Sequence, residues 1–415
     1  MDRILGSKAE TGNISKPVVK IGIIGVTVGV AVMLLTVSIV LGFKGEIVNK
    51  ITGLTTHIAI SSINMNTSNE PEPIKISEDS LRRLKELPFI DHIQNTAFKN
   101  GLLRTDTENE GILLKGVDGS YDFAFLEKHL VEGRLPDFKN RETSKDIFIS
   151  KTLQQKLGLK INEKILVHFI SQHLVYDSLL KEEVVKSEQR SRKFNICGVF
   201  KTNFADFDDK LSLVDIRQIQ RLNYWDSSMV GTYEIKLKDF DALTENLLGI
   251  KDSVGYNYSV SSVKEIYFNV FVWLDKLDIN GIIIVVLMIV VATINMITAL
   301  LILILERANM VGLVKALGMS NISVRKVFLY IALKLMGKGL LWGNIIGIGL
   351  CFLQYYFKIV KLDSETYYVD YVAIEINWMY FLFLNVGTFA VCALMLFLPT
   401  LIITRLTPIK TLKFD

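Results

Sequence analysis

INGIIIVVLMIVVATINMITALLILIL runs from Ile279 to Leu305 without one charged residue, and ERANMVGLVKALGMS follows directly from Glu306 to Ser320. The first stretch exceeds the ~18 apolar residues that mark a membrane-spanning helix, because a hydrocarbon core of about 30 Å needs about 20 residues rising 1.5 Å each. In the second, Met310, Leu313, Val314 and Leu317 share one face at helical spacing, and Gly318 stands where a helix would end. A span followed at once by a short amphipathic helix is the pattern around which the rest of the chain arranges itself.

Three more charge-free runs are present, Ile21 to Phe43, Gly339 to Phe357 and Ile376 to Thr404. They account for an overall composition of 50% hydrophobic residues and a mean hydropathy of +0.34 over 415 residues. The expected fold class is an α-helical membrane protein with four transmembrane helices, 21–43, 279–305, 335–357 and 376–404, and a large α+β extracytoplasmic domain, 44–278, between helices 1 and 2. The first run is too long for the 7–15-residue core of a signal peptide, and no small-residue cleavage site follows Phe43, so it reads as a retained anchor. Basic residues set the orientation. Residues 1–20 carry Arg3, Lys8, Lys16 and Lys20, while Arg307, Lys315, Arg325, Lys326, Lys334 and Lys338 lie between the charge-free runs that end at Leu305 and begin at Gly339, with Glu306 as the lone acid. The tail 405–415 adds Arg405, Lys410 and Lys413, whereas the 358–375 loop is acidic. Both tails and the 306–326 segment are therefore expected in the cytoplasm, and the 44–278 domain and the 358–375 loop outside.

The outer domain is slightly acidic, which leaves no footprint for nucleic acid. Its single cysteine, Cys197, excludes an internal disulfide, so a hydrophobic core must hold it. The first helix is expected to continue through Glu46, Ile47 and Ile51 as a stalk. A strand follows at His57–Ser61, a loop over Ser62–Pro73, and an amphipathic helix opened by Ser77 with Leu81, Leu84 and Leu87 on one face and Pro88 as its stop. Strands are expected at Gly111–Asp118, Asp146–Ser150, Lys164–Phe169 and Phe194–Phe200, and a helix at Lys151–Leu157. Ile170 to Lys193 is polar and aperiodic, either a solvated long hairpin or a projecting partner-binding element. Val263, Ile266, Tyr267, Val270 and Leu274 have helical spacing and predict a second stalk over Val260–Lys276.

No phosphate-cradling loop, nucleophile elbow or paired-histidine metal motif occurs, so no catalytic residue, metal or resident cofactor is assigned. His168 and His173, five apart, fall on opposite faces of a strand. Within the membrane, Gly22, Gly25 and Gly29 offer a close helix-helix seam, within or between subunits, and Gly343, Gly347 and Gly349 around Asn344 read the same way. Lys334 and Lys338 stand where long side chains snorkel to headgroups. No span carries an acid, which disfavours a proton relay or cation pathway.

With these residues in view, the chain resembles the MacB/FtsX/LolC-type ABC permeases. Glu306-Arg307, Gly312-Leu313, Lys315-Ala316-Leu317-Gly318 and Ser320 match the family's coupling-helix motif, and the one-span, large-domain, three-span layout matches throughout. Leu114-Lys115-Gly116-Val117-Asp118, Val131-Glu132-Gly133-Arg134 and Ile149-Ser150-Lys151 look like family segments. Arg192–Phe200, Asp206-Phe207-Asp208, Tyr367–Tyr371 and Pro408–Leu412 are similar to the lipoprotein-releasing branch.

The resemblance implies a bacterial inner-membrane permease subunit that docks a separate ABC ATPase, holder of ATP and magnesium, through Glu306, Arg307, Gly312, Leu313, Lys315, Ala316, Leu317 and Gly318. It implies a second permease subunit, identical or different, with membrane lipids around both. A lipoprotein substrate would hold its acyl chains between span one of one subunit and span two of the other. A periplasmic carrier would meet a loop containing Ile170, Leu174, Tyr176 and Leu179, although the family's hook bears a proline and this segment has none. Efflux in the MacB manner, FtsX-like regulation of wall hydrolases, or an anchored sensor without an ATPase are the alternatives.

Overall fold

The computed structural model describes residues 15–63, 70–105, 108–177 and 182–401, so the N-terminal tail before 15, Leu179 and Pro408–Leu412 lie outside the described residues. In chain order come α1 (Ser15–Leu54), β1 (Ile58–Ser61), α2 (Glu78–Glu86), β2 (Ile90–Arg104), β3 (Asn109–Val117), α3 (Ala124–Lys128), β4 (Leu130–Gly133) and β5 (Asp146–Ser150). Next are α4 (Lys151–Leu157), β6 (Lys164–Asp177), β7 (Glu182–Phe200), α5 (Ala205–Asp208), β8 (Leu211–Asp215), α6 (Ile216–Leu222), β9 (Thr232–Leu237), α7 (Leu243–Val254) and β10 (Ser259–Ser262). The chain closes with α8 (Val263–Ile266), α9 (Phe268–Glu306), α10 (Ala308–Ala316), α11 (Asn321–Phe357), α12 (Ser364–Tyr367), α13 (Trp378–Met395) and α14 (Phe397–Thr400). Two compact units result, one of Met1–Gly45, Trp273–Lys361 and Tyr371–Asp415, the other of Glu46–Val272 and Leu362–Asp370.

In the first unit, four helices among the described residues are long and apolar enough to cross a membrane: Val19–Leu54, Phe268–Glu306, Asn321–Phe357 and Trp378–Thr400. Val26, Val30, Met33 and Leu34 of α1 form its buried centre with Ala292 and Met296 of α9, Ala332 and Met336 of α11, and Phe381 and Cys392 of α13. Two amides pair reciprocally there. Asn344 Nδ2 donates to Asn385 Oδ1 at 2.6 Å, and Asn385 Nδ2 donates to Asn344 Oδ1 at 2.9 Å. Each also reaches the carbonyl four residues back, Leu340 and Phe381, both at 2.8 Å, so both NH₂ groups are satisfied without water. The third helix starts earlier than the charge-free run suggests, because Ser320 caps it by accepting the Ser323 N–H and no breaker intervenes before Phe357.

The second unit is built on a ten-stranded mixed sheet in the order β10-β1-β9-β2-β3-β8-β5-β7-β4, with β6 pairing β2 and β7. Among the described residues only β3 with β8 and β5 with β7 run parallel. Local signals explain the helices. Ser77 accepts the Ser80 N–H to start α2, whose Leu84 is fully buried with Leu81 and Leu87 packed beside the core. Ser150 accepts the Leu153 N–H to start α4, and Gly158 ends it at φ +64°.

Hydropathy alone does not mark β2, although it pairs with three strands, β3, β6 and β9. Its polar residues find partners within the protein: Gln94 donates to Glu234 at 2.8 Å and Lys99 to Glu70 at 2.7 Å. The same holds for β9, where Glu234 sits between Tyr233 and Ile235. The described residues of Ile170 to Lys193 are two strands of a ladder, since β6 and β7 pair without a register break from Lys164↔Asn195 to Asp177↔Glu182.

The expected stalk over Val260–Lys276 is helical over 263–266 and 268–276 and is corrected at its start and at Tyr267. Residues 259–262 are strand, pairing Ile58↔Ser262 through Ser61↔Ser259. Ser262 then caps α8 in a capping box with Glu265, and Tyr267 at φ −104°, ψ 39° separates that turn from α9. Strand pairing outcompetes the helical periodicity because β1 offers hydrogen bonds along the whole of β10. Thus the residues that follow α1 and those that precede α8 lie side by side at one edge of the sheet.

Candidate functional site

The motif segment divides into three pieces where the sequence pattern predicted one, 306–326. Glu306 is the last residue of α9, Arg307 turns the chain at φ −99°, ψ 13°, and α10 holds Gly312, Leu313, Lys315 and Ala316. Met319 N–H donates to Val314 O at 3.2 Å and Gly318 N–H to Lys315 O at 3.0 Å, a Schellman pair closed by Gly318 at φ +95°. Ile322, Arg325 and Lys326 belong to α11, since Ser320 begins that helix. Val311 and Gly312 are buried. Leu313 is 54% exposed and Leu317 80%, with Met310 and Ala316 also exposed and Val314 half-buried, so most of the apolar face predicted from spacing points away from its own unit.

The glycines of span one are taken up inside the chain. A Cβ at Gly22 would lie 2.8 Å from Ala299 Cβ, at Gly25 2.5 Å from Asn295 Nδ2, and at Gly29 3.6 Å from Ala292 Cβ, all on α9. The span-three ridge is Gly339, Gly343 and Gly347, whose Cβ positions would meet Val26, Val30 and Leu34 of α1 at 2.8, 2.7 and 3.0 Å. Gly349, named from the sequence, faces open space, because four-residue steps stay on one helix face and a two-residue step leaves it. On α1 a third stripe, Ile21, Ile24 and Val28, remains exposed. At its far end Lys44 Nζ bridges Asp278 at 2.5 Å and Asp275 at 3.5 Å on α9.

In the second unit the β6–β7 ladder extends past the sheet as two strands paired only with each other from Ile170 and Gln189 onward. Ile170 is 68% exposed, and Leu174 and Tyr176 stand opposite Val185 and Glu183 in the backbone register. Its root is braced: Arg190 stacks over the Tyr224 ring at 4.1 Å, while Glu188 accepts from Arg190 and from the Tyr224 hydroxyl. The imidazoles are engaged separately. His57 Nδ1 accepts the Leu237 N–H at 3.0 Å, and burial lowers its pKa to about 4. His92 meets Ser120 O, His129 meets Phe125 O, and His168 meets Ser191 Oγ. Among the described residues no cluster of three His, Cys, Asp or Glu could hold a metal ion.

Among the described residues three lysines are buried, Lys50, Lys99 and Lys115, and none is assigned a role from the sequence. Lys115, 1% exposed, donates to the Leu54 carbonyl at 2.5 Å and pairs with Glu234 at 2.8 Å. Lys50 donates to the Tyr368 carbonyl at 2.9 Å, Phe204 stacks on the Tyr368 ring at 4.6 Å, and Asn203 donates to Asp370. Burial lowers the pKa of Lys115. The available signal was a lone charge inside an apolar run, Leu113-Leu114-Lys115-Gly116-Val117.

A family model described as the MacB-like periplasmic core domain matches residues 21–246, and one described as the FtsX-like permease C-terminal matches residues 282–408. The chain therefore belongs to the MacB/FtsX-like permease superfamily, as a multi-pass membrane protein with an α/β core domain. The lipoprotein-releasing system transmembrane protein LolC of Neisseria meningitidis serogroup B is 23% identical over 393 residues, covering 90% of this chain and 88% of its own. LolE of Haemophilus influenzae is 22% identical over 410 residues, covering 95% and 94%. Within the superfamily the chain is a permease of the LolC/LolE type, a non-catalytic subunit of an ABC transporter. The crystal structure of the periplasmic region of MacB from Actinobacillus actinomycetemcomitans covers 51% of the chain and 91% of its own at 13% identity and a TM-score of 0.34, a likeness too low to argue from.

Proposed function

We propose that the chain is the membrane subunit of a complex that extracts lipoproteins from the bacterial inner membrane and passes them to a periplasmic carrier. A separate subunit would hydrolyse ATP, holding the nucleotide and magnesium, and a second permease subunit, identical or different, would complete the assembly. Both termini and α10 would face the cytoplasm, and residues 44–278 the periplasm. The observation that carries the reading is the divided surface of α10, with Val311 buried and Leu313 and Leu317 outward. An amphipathic helix anchored on one side and apolar on the other suits insertion into a groove on a partner.

In this reading, closure of the ATPases pushes on α10, whose end is stiffened by the Gly318 turn, and α9 and α1 carry the displacement outward. Acyl chains would lie against the exposed Ile21, Ile24 and Val28 stripe, since the glycine face of span one is filled by span two of the same chain. Lifting one long chain out of the bilayer costs on the order of 10 kcal/mol at about 0.8 kcal/mol per CH₂, hence the need for an external energy source. The segment containing Ile170, Leu174, Tyr176 and Leu179 would receive the carrier.

The test is to purify the tagged full chain and its Leu317→Asp variant from the native host and measure co-purifying ATPase. Wild type is expected to bring down a nucleotide-hydrolysing subunit, the variant at least tenfold less, and cells with the variant should retain outer-membrane lipoproteins in the inner membrane. A wild-type preparation without such a subunit, or unchanged lipoprotein sorting on depletion, defeats the proposal. Capture of an outer-membrane duct or a wall hydrolase by the α/β domain would point to the efflux or regulatory alternative.

A further inference from the structure

We propose that Lys115 is a positioning residue of the transport cycle, whose ammonium holds the last helical carbonyl of α1 so that axial movement of α1 is delivered to the sheet. The proposal rests on the transport reading above. Its basis is geometric. Leu54 ends α1, and its carbonyl would have no intrahelical donor. Lys115, near the C-terminal end of β3, supplies one at 2.5 Å. The same ammonium contacts Glu234 on β9 at 2.8 Å and lies 5.7 Å and 5.2 Å from the ring centres of Phe98 and Tyr121. Glu234 is held in turn by Gln94 of β2, whose own Oε1 accepts the Asp122 N–H. One side chain thus ties the helix end to three neighbouring strands.

The residue type is informative. A buried ion pair is commonly no more stabilising than a well-packed apolar pair of the same volume, so stability alone does not call for Lys115 and Glu234. What the apolar pair lacks is a donor for the helix end, where the summed peptide dipoles also favour a cation. The surroundings leave little play. Gly53 packs against the Phe125 ring so tightly that a Cβ has no room, and a Cβ at Gly116 would lie 2.8 Å from Ile219 Cδ1 and 2.9 Å from Ile216 Cα of α6. Beyond Leu54, the His57 N–H donates to Ile235 O and the Val263 N–H to His57 O, so the turn that leaves α1 is bonded to the sheet on both sides. Within a low-dielectric interior these contacts resist displacement more than they would in water.

The test uses the full chain co-purified with its ATPase in proteoliposomes loaded with a purified acylated lipoprotein, comparing wild type, Lys115→Met and the double variant K115M/E234M. The double variant removes the buried charge together with its counter-charge, so that folding survives. Its thermal midpoint and ATP hydrolysis are expected to stay near wild type, while lipoprotein released per ATP falls at least fivefold. Hydrogen exchange at Thr55 and His57 should quicken tenfold or more, with Ile235 unchanged. Unchanged release per ATP in a folded double variant overturns the proposal. So does wild-type exchange at His57 at loop-like rates, a readout that holds even if the double variant fails to fold. Wild-type complex that hydrolyses ATP and releases no lipoprotein would refute the transport reading instead, and the exchange measurement would still decide whether Lys115 seats α1.

Discussion

Gly343 gives the sharpest test of how the membrane helices are held. An added methyl would sit 2.7 Å from Val30 Cβ and 2.9 Å from the Thr27 carbonyl oxygen of α1. Ordinary carbon contacts lie at about 3.5–4.0 Å, so α1 and α11 would have to part by about 1 Å, and the contacts at Gly339 and Gly347 would open with them. Overpacking of this size costs about 1–3 kcal/mol. Gly349→Ala is the matched control: same helix, same chemical change, nothing within 4 Å of the new methyl. Any gain in helix propensity, up to about 1 kcal/mol, is common to both and cancels in the comparison. Reversible unfolding in mixed micelles, followed by tryptophan fluorescence, should place Gly343→Ala about 1–3 kcal/mol below Gly349→Ala. Equal stabilities, or a more stable Gly343→Ala, would refute the seam.

The reciprocal amides of Asn344 and Asn385 should show a coupling of about 1 kcal/mol in a double-mutant cycle with leucine at each position, measured the same way; strict additivity would show that the pair is not formed. His57 makes the α/β domain acid-sensitive. Its folded pKa, about 4 against 6.5, is depressed, so its contribution is complete above pH 6.5 and is lost as pH falls from 6.5 through 4. The limit is about 3 kcal/mol at ~1.4 kcal/mol per pKa unit. His57→Asn, which keeps an acceptor for the Leu237 N–H without titrating, should flatten that slope in denaturant titrations between pH 4 and 7, and an unaltered slope would count against it.

Local rules made some elements legible. Asp146–Ser150 and Lys151–Leu157 appear with the predicted bounds because an apolar strand abuts a serine cap and a glycine stop, signals that operate within a few residues. The strands β2 and β9 escaped notice because Gln94, Lys99 and Glu234 look solvent-facing until their partners, up to 140 residues away, are known. The same blindness hid Lys115, since nothing near it in the chain identifies Leu54 as its acceptor.

From its own sequence this chain shows four apolar runs and one amphipathic segment, and predicts a large domain between the first two runs, because length and periodicity answer to bilayer thickness and helical pitch alone. Which glycines meet which helix, which lysine carries the end of α1, and how α10 divides into a buried and an outward face were decided only by tertiary structure. Those are choices between faces and partners distant in the chain, and packing and desolvation settle them once the helices and strands have come together.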